Sequence, residues 1–519
     1  MGDSPGARAG ERFSAFAARH IAGTVFTSGS LPERCSTDMS IFRRMPAAVL
    51  RPRDESDIIA TLSFARAEGV PVTARAGGSN TAGAALTDGI MLLFDRGEAW
   101  SRLAYDPDTA EVTAGAAVRH DELQALLRRN GRMLPSDPSS GPLSRIGGNI
   151  ATKASGPHAL KHGAVDRYLE ALRVVTAEGD VIATDRPREL PERIRDGVEE
   201  IRRRALADDA VLGLLRRRRD MKIASGYNLF ALLEEDARLS RAQLFAGSVG
   251  TLGIVTEARL RTVPVEDGRT TVEVFFDTAH AAVGAAARAV ELGAAACEFL
   301  NRECIRIVRE RHPELEIPEA GSLLLLEFTG EGHHDAAAAL ARELGSRGSP
   351  APRISSDPDV QTRLWEVRKR LLFIVKNPGP GREALSVVND VGVPQRRLPE
   401  LVTFAEELFA RHGIEAPIYG HAGSGNLHMR PVFDLRAAEV ARTVEGVAAE
   451  IYGEVTRLGG TITAEHGMGP LRAPYLELEW PPEVLSCMRE LKTVFDPDGI
   501  LNPGAMFPAA PSPAYRFAD

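Results

Sequence analysis

The chain predicts an α+β fold of two or three domains. Its 519 residues exceed what one compact core normally holds. β-rich runs alternate with Ala-rich helical stretches up to about residue 455. The composition shifts at residues 264–268, just after a glycine-rich stretch and a strand-like run, and marks a boundary. Residues 1 to about 45 read as a polar arm with one or two helices. The run Ala47-Ala-Val-Leu-Arg51 then opens a strand–helix–strand pattern. Residues 54–68 have helical periodicity after an acidic start that suits a helix N-terminus. Val70-Pro-Val-Thr-Ala74 is β-rich and leads into a glycine loop; Ile90-Met-Leu-Leu-Phe94 and Ala110-Glu-Val-Thr-Ala114 read as further strands. A helix over 118–130 is stopped by Gly131. Strands follow at 172–176, at Val181, at 255–263 and at 271–276. Helices are expected at 280–293 and 483–495.

Composition narrows the function. Hydrophobic residues make up 44% and charged residues 26%, as in a globular protein, and the net charge of −8 argues against a nucleic-acid binder. The four cysteines form no C-x-x-C pair, which argues against an iron–sulfur cluster of the usual spacing and against a disulfide framework; a reducing cytoplasm fits. Cys297 and Cys304, seven apart, read as small hydrophobes sharing a helix face. The N-terminus lacks an apolar signal core, and no uncharged run reaches the roughly 18–20 residues of a membrane span. Any membrane contact is therefore expected to be peripheral or through a partner.

Three glycine clusters stand out. Arg75-Ala-Gly-Gly-Ser-Asn80 offers backbone N–H groups with little steric cover, since Gly77 and Gly78 can take positive φ and let an anion approach. It is not G-x-G-x-x-G opening a long helix, which disfavours a Rossmann site. Ile146-Gly-Gly-Asn-Ile-Ala-Thr152 and Gly247-Ser-Val-Gly-Thr-Leu-Gly253 can line the same cofactor. Downstream, His421 and His428 flank Ala422-Gly-Ser-Gly-Asn426, a loop of turn formers between two strand-like runs. A hairpin there brings the two imidazoles together across the ladder. With Glu465 they make a two-His, one-carboxylate set for Zn²⁺, Mn²⁺ or Fe²⁺ that leaves a position open for substrate. His466, beside Glu465 in a glycine-bounded loop, can move a proton. Arg368 reads equally as a solvated arginine or as a clamp for a substrate carboxylate.

In their joint order these segments resemble a known family. They are Pro52-x-x-x-x-Asp57-Ile58, the Arg75 loop, Asp137-Pro-Ser-Ser140, Ile146–Thr152, Gly226-Tyr-Asn-Leu229, Gly247–Gly253, the His421 motif, Glu465-His-Gly467 and Leu501-Asn-Pro-Gly504. Over about residues 35–505 the chain resembles the FAD-dependent D-2-hydroxyacid dehydrogenases of the vanillyl-alcohol-oxidase/p-cresol-methylhydroxylase superfamily. These include the glycolate oxidase D-subunit, D-lactate dehydrogenase and D-2-hydroxyglutarate dehydrogenase.

The resemblance implies a two-subdomain PCMH-type FAD-binding domain at 46–265, an α+β substrate-binding cap at 266–455 and a C-terminal helical segment at 456–519 returning to the flavin. It places FAD on Arg75, Ala76, Gly77, Gly78, Ser79, Asn80 and Thr81, and on Asp137, Ser139, Gly147, Gly148, Asn149, Thr152 and Gly156. Ile254, Val255 and Asn502 complete that set. Ser79 stands where covalent members carry histidine, which implies non-covalent FAD. A divalent metal, zinc by the resemblance, falls on His421, His428 and Glu465, the catalytic base on His466, and the carboxylate clamp on Arg368, with Asn426 beside the metal loop. The implied reaction takes a small D-2-hydroxyacid to the 2-oxoacid, and electrons leave to a quinone, an electron-transfer protein or an iron–sulfur subunit. A homodimer is compatible with it.

Val249, Lys153, Ser155 and Ala505 depart from the family pattern. Leu372 and Val388 fall where 2-hydroxyglutarate enzymes place polar groups, which points to lactate-like or larger apolar 2-hydroxyacids. The alternatives are a flavoprotein oxidase of an alcohol or phenol using oxygen, and a non-catalytic FAD subunit of a dehydrogenase complex.

Overall fold

The computed structural model describes residues 5–234, 237–345, 350–375, 381–437 and 439–508. Three sheets organise them. The first has four strands in the order Thr24–Phe26, Ala48–Arg51, Ile90–Leu93, Val72–Arg75. Its inner strands pair in parallel. Ile90–Leu93 is buried along its whole length, as a parallel strand covered on both faces must be. The helix Glu55–Glu68 begins where the Asp54 side chain accepts from the Ser56 N–H, and ends at Gly69, whose φ of +62° makes the left-handed stop. The N-terminal arm does more than predicted: its helix Pro5–His20 sets Phe13 against Phe64, and Thr24–Phe26 adds an edge strand.

The second sheet is antiparallel, in the order Leu103–Asp106, Glu111–Gly115, Ile254–Arg261, Leu169–Val175, Val181–Ala183. Ile254–Arg261 alternates buried and half-buried residues, so one face is core. The helix expected over 118–130 runs from His120 to Arg129, with Gly131 at φ +65° behind it. The C-terminal helix Pro482–Phe495 leads into a segment that returns to the first sheet, where Val72 and Asn502 exchange backbone hydrogen bonds with Ile500 and Val72.

The third sheet holds seven strands, in the order Arg353–Ser355, Arg269–Phe276, Ser322–Thr329, Ala296–Asn301, Ile418–His421, Asn426–Met429, Val391–Gly392. Every adjacent pair is antiparallel. Leu324 and Leu326 pack with the helix Ala279–Glu291 on one face, and Leu323 packs with Arg302–Arg311 and Pro358–Val375 on the other. Cys297 and Cys304 do not share a helix. Cys297 lies on a strand, and the Asn301 side chain caps a new helix through the Cys304 N–H, so the chain changes element between them. Among the described residues no helix is long and apolar enough to cross a membrane.

His158 ties this sheet to the segment before it. Its Nδ1 meets Asp137 Oδ2 at 2.5 Å and its Nε2 meets Glu327 Oε1 at 2.8 Å. Burial opposes a charge there, but Asp137 and then Glu327 outweigh it and raise the His158 pKa well above its usual value. This stabilisation is complete below about pH 6.5 and is lost as pH rises through the raised folded value. Between pH 6 and pH 10 the wild type is expected to lose about 1–3 kcal/mol more stability than His158→Phe. Denaturant titrations at both pH values read the difference; equal losses refute the coupling.

Candidate active site

One face of the third sheet carries the predicted metal residues. Glu298 pairs with His421 and His421 with Asn426, so the three stand in one row; Leu300, Tyr419 and His428 form the next. Side chains in paired positions share a face, as do residues two apart. The His421 and His428 rings therefore meet, their centroids 5.2 Å apart, as the hairpin reading required. Gly425 makes the turn at φ +71°, where a Cβ would fall 2.0 Å from the Val393 carbonyl oxygen.

Glu465 arrives from another element. Its Oε1 lies 3.0 Å from His421 Nε2, 3.3 Å from His428 Nε2 and 3.8 Å from His466 Nε2. Its Oε2 accepts from Lys222 Nζ at 2.5 Å and Ser155 Oγ at 2.8 Å. Asp390 holds the loop in place: its fully buried Oδ2 accepts the N–H groups of Ala464, Glu465 and His466 at 3.0, 3.0 and 2.7 Å and the Thr463 hydroxyl at 2.5 Å. Three consecutive amides on one carboxylate fix where Glu465 and His466 point.

The donor set fits a cation. His428 Nδ1 lies 2.8 Å from the Asn389 carbonyl, which only accepts, so Nε2 carries the lone pair toward Glu465. Two acceptors at 3.3 Å call for a cation or a proton between them. His421 reaches Glu298 at 2.5 Å through Nδ1, and although burial opposes it, Glu298 raises its pKa; the imidazolium then bridges two carboxylates as a metal would. Asp390, His428, Glu465 and His466 also place ligand atoms within 4.8 Å of one another. That cluster includes Asp390 and omits His421; Asp390 Oδ2 accepts from four donors, and its Oδ1 accepts from Asn426 Nδ2 at 3.1 Å. His466 stacks on His428 at 5.0 Å, and burial pushes its pKa down to about 4, so it is neutral near pH 7.

His428, Glu465 and His466 border a cavity of about 310 Å³ whose other walls are the three glycine clusters. Ala76, Gly77, Gly78, Ser79, Asn80, Thr81, Ser139, Gly147, Gly148, Asn149, Thr152 and Val255 all line it. Gly77 packs so closely that a Cβ would fall 2.3 Å from the Leu143 carbonyl oxygen. Gly250, at φ +73°, has nothing within 4 Å of its Cβ position. Ser144 Oγ and Arg145 Nε belong to lining residues and are buried with no partner among the described residues. Open backbone and orphaned polar atoms along one cleft fit a cofactor carrying phosphates and a ring.

Comparison with known proteins gives the same reading. Residues 46–185 match an FAD binding domain, and residues 266–506 match the C-terminal domain of FAD linked oxidases. Glycolate oxidase subunit GlcD of Bacillus subtilis is 30% identical over 476 residues, covering 90% of each chain. The chain belongs to the FAD-linked oxidase family. D-lactate dehydrogenase of Archaeoglobus fulgidus is 29% identical over 88% of this chain and 90% of that one. D-2-hydroxyglutarate dehydrogenase of Haemophilus influenzae is 24% identical over 94% of this chain, which spans 50% of that protein. The structure of 4-ethylphenol oxidase from Gulosibacter chungangensis shares the fold, at TM-score 0.68 and 15% identity over 98% of this chain and 99% of that one.

Within this FAD-linked oxidase several predicted site residues stand behind the cavity wall. Asp137 is engaged with His158, and Gly156 packs where a Cβ would fall 2.4 Å from the Asp137 carbonyl oxygen. Arg75 is buried, its Nη1 without a partner among the described residues, Ile254 faces a core, and Asn502 donates to the carbonyls of Ala84 and Val249. His421 and Asn426 lie one layer deeper than His428; Asn426 holds Lys222 and Asp390. Arg368 does line the cavity, but its Nε donates to fully buried Glu298 at 2.6 Å. The sequence reading missed Lys222, Glu298, Asp390, Tyr419 and Arg430. Tyr419 and Arg430 were signalled, each two residues from a histidine of the motif and so on the same side of the extended chain.

Proposed function

We propose that this FAD-linked oxidase converts a D-2-hydroxyacid to the 2-oxoacid and passes the electrons to a separate carrier, a quinone, an electron-transfer protein or an iron–sulfur subunit. FAD is held non-covalently along the glycine clusters, and a divalent metal, zinc by family resemblance, by His421, His428 and Glu465. When bound, FAD supplies the hydride acceptor and the metal a Lewis acid. One observation carries the reading: three imidazole Nε2 atoms converge on Glu465 at the edge of the cavity that the glycine clusters line.

The chain's own residues then divide the work. His466 takes the hydroxyl proton at Nε2, because its Nδ1 faces Asn389 Oδ1 at 3.3 Å and carries the hydrogen there. Arg368 orients the substrate carboxylate, its guanidinium anchored by Glu298 and stacked 5.0 Å above the Tyr419 ring. Lys222 balances the charge of Glu465 from the side away from the histidines.

Anaerobic bleaching of the purified yellow protein tests this. Loss of the flavin band with a D-2-hydroxyacid, absent with its L-enantiomer and abolished by a chelator, is the expected result. A flavin that no 2-hydroxyacid bleaches refutes the substrate class.

A further inference from the structure

Arg430 is 4% exposed and lines the cavity beside His428, yet among the described residues it has no carboxylate partner. Among the described residues its bonds end at a neutral group: Nη1 donates to buried Ser386 Oγ at 2.7 Å, and Nε is buried with no partner at all. The other charged groups around it are matched. Arg368 faces Glu298 at 2.6 Å, and Lys222 faces Glu465 at 2.5 Å. A buried guanidinium without a counter-charge is costly, and an arginine fork matches a planar carboxylate. Resting on the D-2-hydroxyacid reading above, we infer that Arg430 receives a second carboxylate of the substrate, so that the preferred substrate is a D-2-hydroxydicarboxylate.

A dicarboxylate substrate differs from the lactate-like one expected from Leu372 and Val388. Val388 is fully buried in the hydrophobic core and does not line the cavity, and the Leu372 side chain lies outside the described residues. Val388 therefore does not argue against a second charge. With one carboxylate oriented by Arg368 as proposed above, a mono-anion leaves Arg430 without a counter-charge, whereas the second carboxylate of a diacid supplies it from the same cavity.

The test compares D-lactate, D-malate and D-2-hydroxyglutarate as reductants of the holoenzyme flavin, for wild type, Arg430→Met and Arg430→Lys. The wild type should favour one dicarboxylate over D-lactate by about 10–100-fold in kcat/KM. Arg430→Met should erase that ratio and Arg430→Lys should restore part of it. A wild type that uses D-lactate as well as both diacids overturns the inference, as does a ratio unchanged in Arg430→Met. If no 2-hydroxyacid reduces the flavin, the D-2-hydroxyacid reading has failed instead. Arg430 is then judged by binding: glutarate, but not propionate, should shift the flavin spectrum of the wild type and not of Arg430→Met. Equal responses to glutarate in both proteins overturn it.

Discussion

Replacing His466 with glutamine is expected to slow anaerobic flavin reduction by about 10²–10⁴-fold, the range that a positioned general base contributes. Glutamine keeps a hydrogen-bonding amide near the Asn389 side chain but has no atom that accepts a proton at neutral pH. The loop itself should hold, because Asp390 accepts the backbone N–H of residue 466 at 2.7 Å, while the ring nitrogen stands 3.8 Å away. Flavin content should therefore equal that of the wild type, and the loss should fall on the reduction rate at saturating substrate, which stopped-flow absorbance measures. A variant that reduces its flavin within threefold of the wild-type rate would remove His466 from the chemistry and leave the cavity reading intact. The ring's position supports the role. It borders the cavity, stacks on His428 and stands 3.8 Å from Glu465, beside the atoms of the proposed metal site.

Much of this arrangement was legible in the sequence, and the reasons are local. Gly77, Gly78, Gly147 and Gly148 mark close backbone approach in any context, and each lines the cavity. His421 and His428 are seven apart around a turn-forming loop, and the period of two in an antiparallel hairpin sets them on one face. What stayed hidden is the support for those groups. Glu298 lies 123 residues from His421, Asp390 75 residues from Glu465, and Lys222 204 residues from Asn426. No local pattern announces such partners, because the third sheet brings them together through pairings far apart in sequence. Asp390 is a telling case. It sits in a valine-rich run where an acidic residue reads as a turn, yet it is the anion around which the Glu465–His466 loop is folded. Asp137 is the opposite case. It belongs to a segment that resembles a flavin contact, but its carboxylate is engaged with His158, which reaches on to Glu327 of the third sheet.

The second large effect should come from Glu465→Gln. The change removes the charge on which His421, His428 and Lys222 converge while keeping the side-chain shape. Two separate losses follow. The proposed His421–His428–Glu465 site loses its carboxylate, so metal content measured by elemental analysis should collapse. Flavin reduction should then fall by about 10³-fold or more, since a Lewis acid accounts for several kcal/mol of the barrier. Stability should also drop by about 3–5 kcal/mol, because Lys222, 7% exposed, is left as an uncompensated buried charge. The double variant Glu465→Gln/Lys222→Met separates the two. Removing the stranded ammonium should recover most of the stability, read as the denaturant midpoint, while metal and activity stay lost. If Glu465→Gln keeps its metal, the ion sits elsewhere or is held by the histidines with Asp390. If the double variant regains activity together with stability, Glu465 serves the fold and not the reaction.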